Sequence, residues 1–190
     1  GGNNGGNIMS LVDFVDELKK LVKEQIHNIH TALPAEIVSV DETTGRVCVK
    51  PKAQMRFSNG KIIDFPLISG VPLVMPQSGI AGAAIVFPVK SGDQCLLIFS
   101  EQSLDYWLEN GMTNSHLKFS LSNAIAIPGL IKSISEDIKT ANQNDAIIIK
   151  NNNTQIMLSK SVIAIRGDVK VDGNLLINGE IKTVTDENTG

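Results

Sequence analysis

A six-residue repeat near the C-terminus constrains the fold more than any other feature of the sequence. Three consecutive hexads, GDVKVD, GNLLIN and GEIKTV, occupy residues 167–184, and each begins with glycine. From Asn142 onward the chain contains no proline, aromatic residue or cysteine. Because aromatic side chains supply much of the buried area of ordinary cores, this segment is not expected to form a globular core of its own.

Apolar and polar side chains alternate along the repeat, a period of two that is typical of extended strands. The glycines and most aliphatic residues have odd numbers, whereas the even numbers carry mainly charged residues and asparagines. The residues predicted to point inward are Ile163, Ile165, Val169, Val171, Leu175, Ile177 and Ile181. The predicted corners are Gly167, Gly173 and Gly179.

Strands this short cannot, in a single coil, bury enough apolar surface to offset their ordering entropy. Three identical chains wound about one axis would each supply a strand per layer and leave no strand edge unpaired. We therefore predict an intertwined trimeric β-helix over residues 145–190, here called the tail. One alternative is that these strands extend the core sheet of a monomer. The other is the left-handed β-helix of hexapeptide-repeat acyltransferases, for which the hexads supply too little chain.

The N-terminal region predicts one amphipathic helix within residues 9–33. Residues 1–8 (GGNNGGNI) are interpreted as the remnant of an expression tag, so the natural chain is expected to start at Met9. An apolar seam follows at alternating steps of four and three residues: Leu11, Val15, Leu18, Val22 and Ile29. Pro34 is expected to end the helix. Such a seam can pack on its own domain or bundle with copies of itself.

Residues 34–130 contain all seven prolines and are predicted to fold as a small antiparallel β-barrel of the OB type. Turn sequences such as DETTG and KSGD separate short apolar runs. The predicted strands are Ala35 to Asp41, Arg46 to Pro51, Ile62 to Leu67, Ala83 to Phe87 and Asp93 to Ser100. A β-sandwich is the alternative. With residues 131–144 as a linker, the chain is predicted to be mainly β.

No set of residues predicts a catalytic, cofactor or metal site. His27 and His30 lack a third ligand, His116 lacks any partner, and Cys48 and Cys95 are predicted to be small buried apolar residues. The 17 basic and 20 acidic residues give a net charge of −3, which does not attract phosphate backbones. We expect neither an enzyme nor a nucleic-acid-binding protein.

Four stretches carry a resemblance to a known family: PAEIVSVDETTGRVCVKP (34–51), DFPLISGVPLVMPQ (64–77), FPVKSGDQCLLIFSEQSLDYW (87–107) and LSNAIAIPGL (121–130). In this order, and followed by a tail without aromatic residues, they resemble the N-terminal OB domain of the baseplate central spike of contractile-tailed phages, with the Mu-type spike as the nearest comparison. The resemblance covers nearly the whole chain after Met9.

The resemblance implies a structural homotrimer at the tip of the tail tube, located in the virion baseplate or in an equivalent particle such as a tailocin or a type VI secretion machine. Its implied partners are a tube or hub protein and the host envelope, which the spike pierces when the sheath contracts. Many such spikes bind iron at their apex through a His-x-His motif, but no histidine follows His116. The tip is therefore expected to be blunt, deleted, or supplied by a separate cap protein. A binding module or a hexapeptide-repeat-like enzyme unrelated to tails is the alternative function.

Overall fold

The computed structural model describes residues 11–27, 29–57, 59–109 and 117–183. The predicted tag remnant (1–8), His116 and the C-terminal TVTDENTG end beyond residue 183 therefore lie outside the described residues. The chain divides into two compact units, residues 1–132 and residues 133–190. Among the described residues, no helix has the length and apolar character needed to cross a membrane.

The helices are α1 (Leu11–His27), α2 (Asp105–Glu109) and α3 (Glu136–Asn144), together with a 3-10 turn at Leu121–Asn123. The strands of the first unit are β1 (Ala32–Val40), β2 (Val47–Pro51), β3 (Gln54–Arg56), β4 (Ile62–Asp64), β5 (Ile68–Val71), β6 (Gln77–Ser78), β7 (Ala83–Ala84), β8 (Gln94–Phe99) and β9 (Ala124–Pro128). The second unit contains β10 (Ile147–Asn151), β11 (Thr154–Leu158) and β12 (Ile163–Arg166). The protein is mainly β with a short N-terminal helix, as predicted.

A curled five-stranded antiparallel sheet in the order β5-β2-β1-β8-β9 forms the first unit. Alternate residues of the central strands point to its concave side, as the period of two requires. The fully buried core residues include Ile37, Val49, Cys95 and Leu97. The first unit thus has a hydrophobic core of its own.

The two edge strands of this sheet approach each other at one point. Leu73, just beyond β5, forms a parallel bridge with Ala126 of β9. The Val74 amide donates to the Ala126 carbonyl at 2.9 Å, and the Ala126 amide donates to the Pro72 carbonyl at 2.9 Å. The sheet is therefore a half-barrel whose two edges are joined by hydrogen bonds at this position.

Two predictions at the N-terminal side of the sheet were wrong. Helix α1 ends at His27, and Pro34 lies inside β1, which begins at Ala32. Proline does not disrupt β1 here. The Pro34 carbonyl accepts a hydrogen bond from the Lys52 backbone amide at 2.8 Å, and the missing N–H of proline matters only where the ladder needs a donor.

The predicted strand Ala83 to Phe87 is not a buried strand. Only Ala83–Ala84 pairs with another strand, and Ile85 and Val86 are exposed.

The second unit begins with helix α3, which lies within the segment predicted to be a linker (131–144). The Ser135 hydroxyl caps this helix by accepting from the Ile138 amide, and Asp145 ends it in the left-handed conformation, with φ 48°. Strands β10, β11 and β12 then form a three-stranded antiparallel sheet. This sheet is made by one chain, whereas the predicted intertwined β-helix is not seen.

Substitution of Ile37 by alanine tests the core of the first unit. Ile37 is fully buried, so we expect Ile37→Ala to lower the free energy of unfolding by about 2–5 kcal/mol. The matched control is Ile80→Ala, because Ile80 is fully exposed between β6 and β7 and its loss should change stability by less than about 0.5 kcal/mol. Chemical denaturation followed by circular dichroism measures both; equal effects would contradict the assigned core.

Candidate functional site

Six aliphatic side chains lie on one face of the β10–β11–β12 sheet and are here called the aliphatic face. The strand register places Ile147, Leu158 and Ile163 in one cross-strand row. Ile149, Ile156 and Ile165 form the next row, two residues along each strand. Residues directly opposite each other on antiparallel strands have neighbouring side chains, so the six form a continuous apolar surface.

The aliphatic face is not covered by any other part of the second unit. Its five isoleucines are between 38 and 66% exposed. Among the described residues, every buried hydrophobic side chain lies between Ala35 and Ala126, in the first unit. The second unit therefore has an apolar surface suitable for a core but no core of its own.

The opposite face of the same sheet is partly covered by α3. Helix α3 contacts β10, and the Lys150 ammonium group lies 2.7 Å from the Asp137 carboxylate of α3. Ile148 and Met157, which point to this side, are half-buried. With one face occupied, the aliphatic face is the side of the sheet available for a partner.

Beyond β12, the described chain (167–183) contains neither helix nor strand. It bends at each of the predicted corners, Gly167, Gly173 and Gly179. All the predicted inward residues are exposed in the single chain: Ile163, Ile165, Val169, Val171, Leu175, Ile177 and Ile181. The structure thus keeps these residues uncovered and does not bring them together in a core.

Gly167 is required by its backbone geometry. Its φ of +110° is one that residues with a side chain rarely adopt, and an added Cβ would lie 2.8 Å from Cγ2 of Thr154. Gly173 also has positive φ, at +137°, but faces open space. The glycines of the hexads therefore turn the chain, and Gly167 additionally allows it to pass close to β11.

The histidines do not form a binding site in the described residues. The His30 ring packs 5.5 Å from the ring of Phe65 and 5.6 Å from that of Phe99, measured between centroids. His27 is the last residue of α1, and His116 lies outside the described residues. Across the described ranges, no three His, Cys, Asp or Glu side chains are grouped so that they could hold a metal ion.

The two cysteines differ in their surroundings. Cys95 is fully buried in the core, and this burial raises the pKa of its thiol to about 11. Cys48 is only partly buried, and its sulfur accepts a hydrogen bond from the Ser69 hydroxyl at 3.6 Å. The prediction of buried cysteines is thus correct for Cys95 and only partly correct for Cys48.

Asp41 lies in a cleft of about 340 Å³ beside the β1–β2 turn. Its carboxylate accepts hydrogen bonds from the Thr43 hydroxyl, from the Thr44 hydroxyl at 2.7 Å and from the Thr43 amide at 2.9 Å. These bonds, with the Thr43 hydroxyl as the largest cause, lower the pKa of Asp41 to about 2. The bonds all lie within the turn, so this carboxylate stabilises the hairpin.

The first unit matches a family model described as the phage protein Gp138 N-terminal domain, over residues 33–129. The chain belongs to this family. The matched region begins in β1 and ends just after β9, so the Gp138 N-terminal domain corresponds to the curled sheet and its connections. Membership in this family supports a structural role in a phage and association with the virion. No curated protein matches the chain.

The two-row register of the aliphatic face was not predicted from the sequence. Alternation of apolar residues predicts extended strands here, but which residues face each other depends on the turns between the strands. Asn152 adopts positive φ, at 51°, between β10 and β11, and asparagine is one of the few residues that tolerates this conformation. The Ser159 amide donates to the Val162 carbonyl at 3.0 Å to close the next turn. The sequences NNN (151–153) and SKS (159–161) are the turn signals from which these two hairpins could have been predicted.

Lowering the pH tests the role assigned to Asp41. Because its folded-state pKa, about 2, is below the ordinary value of 3.8, its contribution to stability is complete above pH 3.8 and is lost as the pH falls toward 2. We expect the denaturation midpoint of the wild type to fall more between pH 4 and pH 2 than that of Asp41→Asn. Equal falls in both proteins would contradict the assignment.

Proposed function

We propose that the protein is a structural homotrimeric spike at the tip of a contractile phage tail. The single observation that carries this proposal is the aliphatic face, with its continuation through residues 167–181, left uncovered in a unit without a core. Three copies meeting about a common axis would bury these residues against each other. The family match of the first unit to a phage protein domain supports the same conclusion.

We propose that the first unit is an OB-type barrel of the kind found in Mu-type spikes. Its strand order, with β1 between β2 and β8, supports this assignment. The parallel bridge from Leu73 to Ala126 supports it further, because it links the two edge strands as closure of a small barrel requires. In this arrangement the first unit provides the attachment to the tail tube or baseplate hub.

We propose that the tail forms the piercing part as a trimeric β-helix. The work of penetration comes from contraction of the sheath, so the spike itself needs rigidity and a polar exterior. The even-numbered residues of the hexads supply that exterior through Asp168, Lys170, Asp172, Glu180 and Lys182. The proposed location is the virion baseplate, and the proposed target is the host envelope.

Val171 provides a direct test of the trimer axis. In a three-fold β-helix, Val171→Asp places three carboxylates together in a dry interior, where each unpaired charge costs several kcal/mol. We expect this variant to lose its trimeric mass in light scattering or to melt at a lower temperature. The neighbouring control, Lys170→Asp, points to the opposite side and should change stability by less than about 0.5 kcal/mol per chain. Equal effects would contradict the inward-facing β-helix.

We also propose that the protein is not an enzyme and holds no resident metal or cofactor. Its sequence carries no recognised catalytic motif, and among the described residues no three potential metal ligands are grouped. Highly purified protein is expected to show no turnover of peptidoglycan or acyl donors. Elemental analysis is expected to find no stoichiometric iron or zinc. Persistent turnover, or one metal per trimer, would overturn this part of the proposal.

A further inference from the structure

Helix α1 presents a broad apolar stripe that the first unit leaves uncovered. Eight apolar side chains of this helix are between 40 and 79% exposed. They are Leu11, Val12, Phe14, Val15, Leu18, Leu21, Val22 and Ile26. The sequence left open whether this helix packs on its own domain or on copies of itself. The exposure of the stripe excludes its own domain as the covering surface.

The stripe contains two overlapping seams, each with steps of three and four residues. One seam runs through Val15 and Val22, and the other runs through Phe14 and Leu21. Both share Leu11, Leu18 and the polar Gln25. A single seam suits a two-helix coil, whereas a stripe of this width suits a helix with more than one helical neighbour. The stripe therefore fits a bundle of three helices better than a pair.

The charges of α1 permit association between identical copies. Its four acidic and three basic residues nearly balance, so like copies do not repel strongly. Two of the lysines already pair within the helix: Lys19 lies 3.3 Å from Asp16, and Lys20 lies 4.0 Å from Glu17. These two ion pairs form within one helix, so they do not require a charged partner from another chain.

The short connection after α1 is fixed to the core of the first unit. The His30 amide donates to the Phe119 carbonyl at 3.0 Å, and the Thr31 carbonyl accepts from the Phe99 amide at 3.1 Å. In a trimer, the C-terminal end of each helix would therefore be held next to an anchored point. Tethering of this kind raises the effective concentration of the helices for one another, which offsets the modest length of α1.

We propose that the α1 helices of three copies associate in parallel through this stripe, forming a three-helix bundle at the N-terminal end of the trimer. This inference rests on the proposed homotrimer and assigns two further copies of the chain as the partner of α1. Gln25, the polar residue shared by both seams, fixes the register of the helices, as single polar residues do in such seams.

Hydrogen exchange of the full-length protein tests this proposal. An isolated helix of 17 residues is marginal in water, so strong amide protection of residues 11–27 in the purified protein requires a partner. We expect protection in the wild type and a fall of more than about tenfold in Leu18→Glu, which removes an apolar contact shared by both seams. The matched control, Lys23→Glu, introduces the same carboxylate at an exposed position outside the stripe, three and four residues after Lys20 and Lys19, and should retain protection.

Light scattering on the same samples separates the two proposals. A trimer whose α1 amides exchange freely would overturn the helix bundle and leave the spike intact, with α1 then available to a hub protein. A trimer that loses α1 protection equally in both variants would also overturn the bundle, since the stripe would not be the contact. A monomeric wild type would remove the proposed spike and the bundle together.

Discussion

The aliphatic face of the β10–β11–β12 sheet sets the main physical constraint on this protein. Its five isoleucines are exposed in the single chain, and exposed apolar surface of this extent is costly in water and typical of protein interfaces. Helix α3 occupies the other side of the sheet through the Lys150–Asp137 ion pair. The second unit leaves these apolar residues uncovered, and in the proposed trimer identical chains would cover them for one another.

The two units obtain their stability in different ways. The first unit buries Ile37, Val49 and Leu97 within its own curled sheet, and the Gp138 N-terminal domain match covers this part of the chain. The second unit buries none of its described side chains. A self-sufficient attachment domain followed by a trimer-dependent shaft would suit the proposed spike, because the shaft gains rigidity from assembly and needs no catalytic group.

Local sequence patterns predicted much of the first unit, since alternation and turn residues such as DETTG are short-range signals. The helical period likewise predicted α1, although β1 begins earlier than Pro34 suggested. Pro34 is tolerated in β1 because the pairing with β2 starts only at Ala35, so the missing N–H of Pro34 is not needed by that ladder. Helix α3 was missed because only two of its nine residues, Ile138 and Ala141, are apolar, and because its stability comes from the Ser135 cap and from β10. The aliphatic face was only partly predicted, because its register depends on the length and conformation of the turns at Asn152 and Ser159, which the alternation of apolar residues does not reveal.

The molar mass of the purified full-length protein, measured by light scattering over a range of micromolar concentrations, tests the central claim most directly. If apolar faces of identical chains cover one another, the mass will be three times the 20.4 kDa of one chain and will not change on dilution. A mass of 20.4 kDa throughout that range would contradict the account, because the second unit would then be stable with its aliphatic face in water.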